Sequence, residues 1–421
     1  LLATKCVTQS YSGGLDDLLA ECLTNTYNAI QYAEEHGIVN RKGMKGFYQT
    51  LKSVNLPSCY KLASITRACA IIQSRKKSEK RGIKAVHLKP LRPMTCLISG
   101  FFVTMKGRLF IPLRRDKYFD VQLNQYTLKT LADKKVRSLT ITLDSLSFCY
   151  SQEVEPAPVR RVYGVDRNEK NITFGDVETV VQVDLTKVVR TRQTTREVIS
   201  SFKRNDARTR RKIARKYWKR ANQRTDQILH AATNFIVEKA ANNRAALAVE
   251  DLKGIRKMYR RGNGRGADYR FRLNSWPHWR AKRMIEYKAA WSGVTFVQLT
   301  KSETNGSSSM CSACGEKLHS PVKDDVAHTR MLWCQRCKAW MDRDVNASLN
   351  LSMRGRSRFD RSLSSRSGEA ESRSEHDDSS YPPIEREKGL AGEAVTGNGT
   401  TTLILRVDAS KLTHRLPEPK S

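Results

Sequence analysis

The chain contains no run of 18 consecutive apolar residues, so it offers no membrane-spanning helix, and no signal-peptide pattern is visible. Acid is scarce: 42 Asp and Glu face 76 Lys and Arg, a formal net charge of +34. No fold requires such an excess. It points to a polyanionic partner, nucleic acid first. A ribosomal or histone-like protein is usually shorter than 421 residues, and this length suffices for two or three domains with real cores. Cysteine pairing is mostly missing. Cys6, Cys22, Cys59, Cys69, Cys96 and Cys149 are scattered without paired spacing and read as reduced thiols of an intracellular protein. Apolar residues nearly vanish over 353–380, a mixture of Ser, Arg and acid, where disorder is expected. Residues 381–421 hold one short apolar run, Thr402–Val407, too isolated to build a core. Residues 353–421 are therefore expected to form a disordered tail.

The rest of the chain is patterned. Residues 1–10 suit a strand. The stretches 14–36, 45–53 and 60–75 carry apolar residues at helical spacing and form a helical insert over 13–87, closed by a basic connector at 76–87. The stretches 96–104, 107–113, 118–123 and 136–150 are rich in Val, Ile, Thr and Phe. Together with the first strand they suggest a small antiparallel barrel spanning 1–12 and 88–155. Beyond a Pro-containing linker at 155–158, strands are expected at 161–166, 171–175, 179–185, 245–250 and 294–299. Helices are expected at 194–243, 270–291 and from about Asp344 onward. Strands alternating with crossover helices describe an α/β domain.

Two CxxC pairs, Cys311/Cys314 and Cys334/Cys337, flank a gap of 19 residues. Four thiolates at this spacing suit one tetrahedral structural zinc. The second pair runs into Asp342-Arg343-Asp344. Upstream, Asp166 ends one expected strand and Glu250 another. Carboxylates gathered from three elements are what magnesium-dependent phosphodiester hydrolysis requires, because Mg2+ prefers carboxylate oxygen and two ions are needed to activate water and steady the leaving oxygen. Two choices stay open on the residues alone. Asp251 competes with Glu250, since neighbouring strand residues face opposite sides. Asp342 competes with Asp344, and at a helix start it is equally suited to cap.

Residues 196–224 hold twelve Lys/Arg and two acids, a density that self-repels unless phosphates neutralise it. Arg208, Arg211, Lys212, Arg215, Lys216 and Lys219 are the candidate nucleic-acid contacts there. Trp218 is either a stacking partner or a packing anchor. The Gly/Arg stretch 253–265 is a candidate lid. His278 and Trp276 read as packing residues. Lys317, His319 and Lys323 are candidate substrate contacts on a ribbon whose main expected role is scaffolding.

GVDRNEKNITFGD (164–176), LAVEDLKGIR (247–256) and the segment CSACGEK to CQRCKAWMDRDVNASLNLS (311–352) resemble the three RuvC motifs and zinc ribbon of TnpB proteins, transposon-encoded relatives of type V CRISPR effectors. The first motif departs in carrying Arg167-Asn168-Glu169 where the family commonly has a small residue and often Gly. The resemblance selects Glu250 over Asp251. It implies that Asp166, Glu250 and Asp344 are catalytic and bind two Mg2+, and that the four cysteines bind Zn2+. The implied fold is a multidomain α+β chain: a wedge-like N-terminal β-barrel (1–12 and 88–155) with a helical recognition insert (13–87), a RuvC/RNase H-like α/β nuclease domain (160–300 and 338–352), an inserted zinc ribbon (301–337) and the tail. The implied activity is RNA-guided cleavage of double-stranded DNA with an ωRNA-like guide and a target-adjacent motif. The protein is expected to be a monomer within a ribonucleoprotein of a prokaryotic cytoplasm or nucleoid, an archaeal one included, with no membrane partner. A compact type V CRISPR effector, a nuclease-silent RNA-guided regulator and a transposition strand-transferase are the alternatives.

Overall fold

The structure is a computed structural model describing residues 2–80, 82, 91–114, 117–202, 207–252, 255, 266–320, 330–364, 391–397 and 400–412. The chain divides into two compact units, 2–153 and 154–421. Among the described residues no helix is long and apolar enough to cross a membrane.

The N-terminal unit runs β1 (Leu2–Ser10), α1 (Asp16–Glu35), α2 (Lys45–Thr50), α3 (Ser58–Glu79), β2 (Met94–Leu97), β3 (Phe102–Val103), β4 (Arg108–Arg114), β5 (Lys117–Gln122), α4 (Gln125–Leu131), β6 (Lys135–Thr142) and β7 (Ser145–Glu153). Ala29, Ile30 and Ala33 of α1 pack on Ile65, Ala68 and Ile72 of α3, so each helix buries one face at the expected 3–4 residue spacing. α4 starts where the Asn124 side chain accepts the Thr127 N–H at 2.7 Å. The strands expected to close one barrel are instead distributed over two antiparallel sheets, β1-β7-β6-β2 and β3-β4-β5. The run expected at 136–150 is a hairpin, folded where the Thr142 hydroxyl meets Asp144 and Ser145.

The C-terminal unit runs β8 (Arg161–Arg167), β9 (Asn171–Gly175), β10 (Thr179–Asp184), α5 (Thr186–Ser201), α6 (Ala207–Asn242), β11 (Ala245–Val249), α7 (Ala267–Ser275), α8 (His278–Trp291), β12 (Phe296–Gln298), β13 (Met331–Cys334), β14 (Ala339–Asp342), α9 (Arg343–Ser364), β15 (Ala391–Gly397) and β16 (Thr400–Asp408). One sheet takes the order β12-β11-β8-β9-β10-β16-β15. β11 is parallel to both β8 and β12, β16 is parallel to β10, and the remaining pairs are antiparallel. Val165, Phe174, Val183, Leu247 and Val249 bury against α6 and α8. The alternate residues turn to α9: Val162, Ala246 and Ala248 meet Leu351, and Val180 and Ile404 meet Val345 and Leu349. Period-2 alternation thus gives the sheet one face for each helical layer.

Three expectations change. The expected helix 270–291 is two helices, because Pro277 lacks the N–H that would continue the first. The helical region expected to begin at 194 begins at Thr186. The tail is not wholly disordered. α9 continues through Ser364, its polar side held by Arg358 and Arg361 on Glu303 and by Arg354 on the Glu303 and Asn305 carbonyls. The lone apolar run of 402–407 lies in β16, aligned with β10 from Thr179↔Leu403 to Asp184↔Asp408. It needs no core of its own, because Ile404 shares one face's core and Leu405 and Val407 pack on the other.

α9 crosses β8 at backbone contact. The Ser348 and Ser352 hydroxyls donate to the Gly164 and Val162 carbonyls at 2.8 and 2.6 Å. A Cβ on Gly164 would sit 2.0 Å from the Ser348 carbonyl oxygen, and one on Gly355 would sit 2.2 Å from the Ala248 Cβ. Gly164→Ala should therefore cost about 3 kcal/mol or more by overpacking, read as a lower urea midpoint. Gly266→Ala, with nothing within 4 Å of its added methyl, should be near neutral. Equal effects of the two would refute the close approach.

Candidate active site

The face of the sheet under α9 collects the acids. Asp166 has the parity of Val162 and Gly164, so it faces α9. Glu250 lies one residue beyond β11 and has the parity of Ala246 and Ala248. Asp344 comes from the first turn of α9 and is 2 % exposed. Burial holds the Asp166 carboxyl well above its ordinary range, and the Glu250 and Asp344 charges raise it further, against the Asn168 amide and Arg167. Glu250 is also raised by burial, opposed by the charge and backbone N–H of Arg167. The three carboxylates thus bear on one locus. The parity left open by the sequence is set by the two alanines of β11, with Glu250 continuing their row.

Neighbouring side chains hold the acids in place. The Asn168 amide donates to Asp166 at 2.7 Å and to the Asn171 side-chain oxygen at 3.2 Å. The Asn171 amide donates to Asp344 at 2.9 Å, and Arg330 pairs with the other oxygen of Asp344. Asp342 caps α9: its Oδ1 accepts the Asp344 and Val345 N–H groups at 2.8 and 3.1 Å. Arg167 has the opposite parity. Its guanidinium is buried and donates to the Glu250 and His278 carbonyls at 2.8 and 3.0 Å, tying β8 to the end of β11 and the start of α8. Sequence reasoning missed Asn168, Asn171 and Arg330. The two amides sit in the first motif with nothing to mark them, and Arg330 reaches Asp344 only through the ribbon's tertiary placement.

The four cysteine sulfurs all lie within 4.8 Å of one another, the one such group of potential ligands found among the described residues. Cys311 and Cys337 are 3.8 Å apart, and Cys314 and Cys334 are 3.5 Å apart. A tetrahedron with 2.3 Å Zn–S bonds has edges of about 3.8 Å, so the set fits zinc. The backbone N–H of Glu316 brings the Cys314 thiol down to about 7, whereas hydrogen bonding to Cys314 leaves Cys337 raised to about 12. Polar residues bind the ribbon to α9. The Asn346 and Asn350 amides each donate to the Met310 carbonyl at 2.8 Å, and the Ser312 N–H returns a bond to Asn346 at 2.8 Å. The acids are looser than the cysteines, since their ligand oxygens do not form a group that close.

Two of these elements match known proteins. The family described as Cas12f1-like, TNB domain, matches residues 278–351, which span α8, the ribbon and the start of α9. The TnpB-like protein MJ0751 of Methanocaldococcus jannaschii is 30% identical over 226 residues, covering 52% of this chain and 77% of that protein. The chain belongs to the TnpB-like family. The cryo-EM structure of a Cas12f1-sgRNA-target DNA complex shares the fold, with a TM-score of 0.51 at 12% identity over 80% of this chain and 81% of that one.

The remaining predicted residues of this TnpB-like chain are placed as follows. Arg208, Arg211, Lys212, Arg215, Lys216 and Lys219 are exposed along one stripe of α6. Trp218 is half-buried, with its ring 6.2 Å from Phe271, so it packs. Trp276 and His278 contact each other at 5.0 Å. His319 pairs with Trp333 in the ribbon and Lys317 with Met310. Lys323 and nearly all of the 253–265 lid candidate lie outside the described residues.

Two outcomes are expected. Dialysed protein should hold one zinc per chain by atomic absorption, and Cys334→Ser should lose it and open 343–350 to limited proteolysis. Continued protection in the zinc-free variant would contradict the ribbon's scaffolding role. The second concerns charge. Asp166 and Glu250 are raised in the folded chain, so protonation favours folding. Their stabilising contribution is complete below the ordinary carboxylate range, about pH 4, and is lost as pH rises through the raised values. At pH 7, without magnesium but with zinc retained, Asp166→Asn should stabilise the chain, read as a higher melting temperature. A lower melting temperature would refute the repulsion.

Proposed function

We propose that this chain is an RNA-guided DNA endonuclease of the TnpB type. The observation that carries this reading is the convergence of three carboxylates, from the end of β8, the end of β11 and the first turn of α9, strongly enough that Asp166 feels both others. A donor set made of carboxylate oxygens, one buried and two half-buried, suits hard divalent cations, Mg2+ first. Asp166, Glu250 and Asp344 would hold two such ions, and an acid set too open to close on a single ion accords with that role. When bound, the ions would supply an activated water and charge stabilisation at the phosphate.

The chain's own residues have distinct parts. Asn168 and Asn171 orient Asp166 and Asp344 through their amides. Asp342 fixes the turn that presents Asp344. The ribbon, tied to α9 by Asn346 and Asn350, keeps that turn in register with β8. Guidance by RNA is supported by the family and by the net charge of +34, which suits phosphate-rich partners. Arg208, Arg211, Lys212, Arg215, Lys216 and Lys219 on α6 are proposed as backbone contacts to nucleic acid.

The test expresses the chain with its native flanking DNA, sequences the RNA that co-purifies, and measures magnesium-dependent cleavage of a plasmid library with randomised target flanks. A discrete RNA is expected, with cleavage that depends on it. Asp166→Ala, Glu250→Gln and Asp344→Ala should each keep the RNA and lower cleavage by at least about a thousandfold. RNA and target binding without cleavage by the wild type would instead support a nuclease-silent regulator. Absence of any enriched RNA would sink the guided reading.

A further inference from the structure

The six cysteines outside the ribbon lack paired spacing in the sequence, and the function proposed above makes no use of them. Register pairs two of them. Cys6 of β1 and Cys149 of β7 are 143 positions apart in the chain and directly opposite each other in the sheet. The register runs unbroken from Leu2↔Glu153 to Ser10↔Ser145. One pair further on, the Tyr11 N–H donates to the Asp144 carbonyl at 3.2 Å. Bonded and unbonded pairs alternate along an antiparallel ladder. Cys6 and Cys149, five pairs from that bond, therefore face each other at an unbonded position. Cα atoms at such a position are about 4.5 Å apart, and side chains lie closest there. That is inside the range of about 4.4–6.8 Å over which a disulfide can close.

The pair is presented to solvent. Ala3, Val7, Leu146 and Phe148 fill the buried face of the two strands. The alternate residues form the other face, with Thr4, Cys6 and Thr8 opposite Ser151, Cys149 and Ser147. Cys6 is exposed and Cys149 half-buried. Side chains of this face touch across the strands: the Thr8 and Ser147 hydroxyls lie 2.7 Å apart. The two thiols likewise share a hydrogen bond. Burial, then the charge and hydrogen bond of Cys149, push the Cys6 thiol up to about 11, so near pH 7 Cys6 keeps its proton. Cys96, also exposed, stands opposite Thr140. Cys22 and Cys69 are buried on α1 and α3.

We propose that Cys6 and Cys149 are a reversible modification site, joined as a disulfide by exchange with a low-molecular-weight disulfide such as that of glutathione, and that the bond clamps β1 to the sheet. The exchange balances. The Cys149 thiolate attacks one sulfur of glutathione disulfide, forming a mixed disulfide and releasing one glutathione thiolate. That thiolate takes the Cys6 proton, and the Cys6 sulfur attacks the Cys149 sulfur, releasing the second glutathione. Two protein thiols are oxidised and one glutathione disulfide is reduced to two thiols. The net charge of +34 favours an anionic reagent of this kind.

The clamp has something to hold. β1 is an end strand of its sheet and, among the described residues, pairs with β7 alone. A strand held on one side opens more readily than an inner one. The bond also closes everything from α1 to β6 into one covalent loop, which restricts the unfolded chain. It needs neither guide nor divalent metal, so it stands apart from the nuclease reading.

The test equilibrates the full-length chain, with zinc retained, in glutathione buffers of graded redox ratio. Equilibrium is approached from the reduced side and from the diamide-oxidised side. Remaining thiols are trapped with N-ethylmaleimide, and peptides are mapped by mass spectrometry without reduction. A peptide pair joined through Cys6 and Cys149 is expected, lost on adding a phosphine reductant. Amide exchange over residues 2–10 should slow by about tenfold or more in the oxidised chain and recover on reduction. Cys6→Ser should abolish both effects and leave Cys149 with a single glutathione. Cys149→Ser reads the same loss from the other strand and serves if Cys6→Ser fails to fold. Cys96→Ser should change neither effect. Separate glutathione adducts on Cys6 and Cys149 of the wild type, a bond from either to Cys96, or a Cys6–Cys149 bond that forms only in urea would each overturn the proposal. So would a bond that leaves exchange over 2–10 unchanged.

Discussion

Helix α9 rests on β8 with no side chain between them at Gly164, and the candidate site depends on that contact. A helix packed on a sheet normally stands off by the thickness of two side-chain layers. Here Ser348 and Ser352 bond directly to strand carbonyls, and a single methyl on Gly164 would collide with the helix backbone. The close approach lets a carboxylate from the helix's first turn meet one from the strand two residues on. Gly164 is thus a spacer of minimum thickness, and its value lies in where it places Asp344.

Everything else at the site resists a stress that this proximity creates. Glu250 and Asp344 repel Asp166, and a site with one carboxylate buried and two half-buried holds back much of the water that would screen the repulsion. The protein answers with amides from Asn168 and Asn171, the guanidinium of Arg330 and a helix start capped by Asp342. The ribbon belongs to the same set of supports. Its cysteines can fold around a metal of their own, and through Asn346 and Asn350 that folding energy bears on the helix that must stay put. One metal's structural work thus steadies the place where others would do chemistry.

Local features were legible in the sequence and convergent ones were not. The cysteine spacing was readable because four ligands in two short knuckles need little tertiary context. β8, β9, β10 and β11 were readable from their apolar runs. Which of Glu250 or Asp251 faces α9 was not, since a strand buried on both sides has no polar face to set the parity, and the alanines that line the helix side look no different from core. α9 beyond Ser352 was hidden by a Ser/Arg composition that owes its order to Glu303, about fifty positions earlier. β16 was hidden because its partners are supplied by a sheet built long before it. The break at Pro277 was visible in the sequence and was passed over, and the single barrel expected in the N-terminal unit is replaced by two sheets whose separation no local pattern announces.

The parallel pairing of β10 with β16 also carries a consequence for timing. Val177 and Thr402, hydrogen-bonded where the two strands meet, are 225 positions apart. Closing so long a loop adds little entropy beyond that of a loop half its length, but it cannot begin until the later strand exists. During synthesis the ribbon and the acids can assemble while the edge of β10 stands open, an unpaired template for other chains. β16 shuts that edge. The β15–β16 hairpin therefore acts as the closing stitch of the sheet, and a ribosome that stalls before reaching it would release a C-terminal unit with its acids in place and an adhesive border.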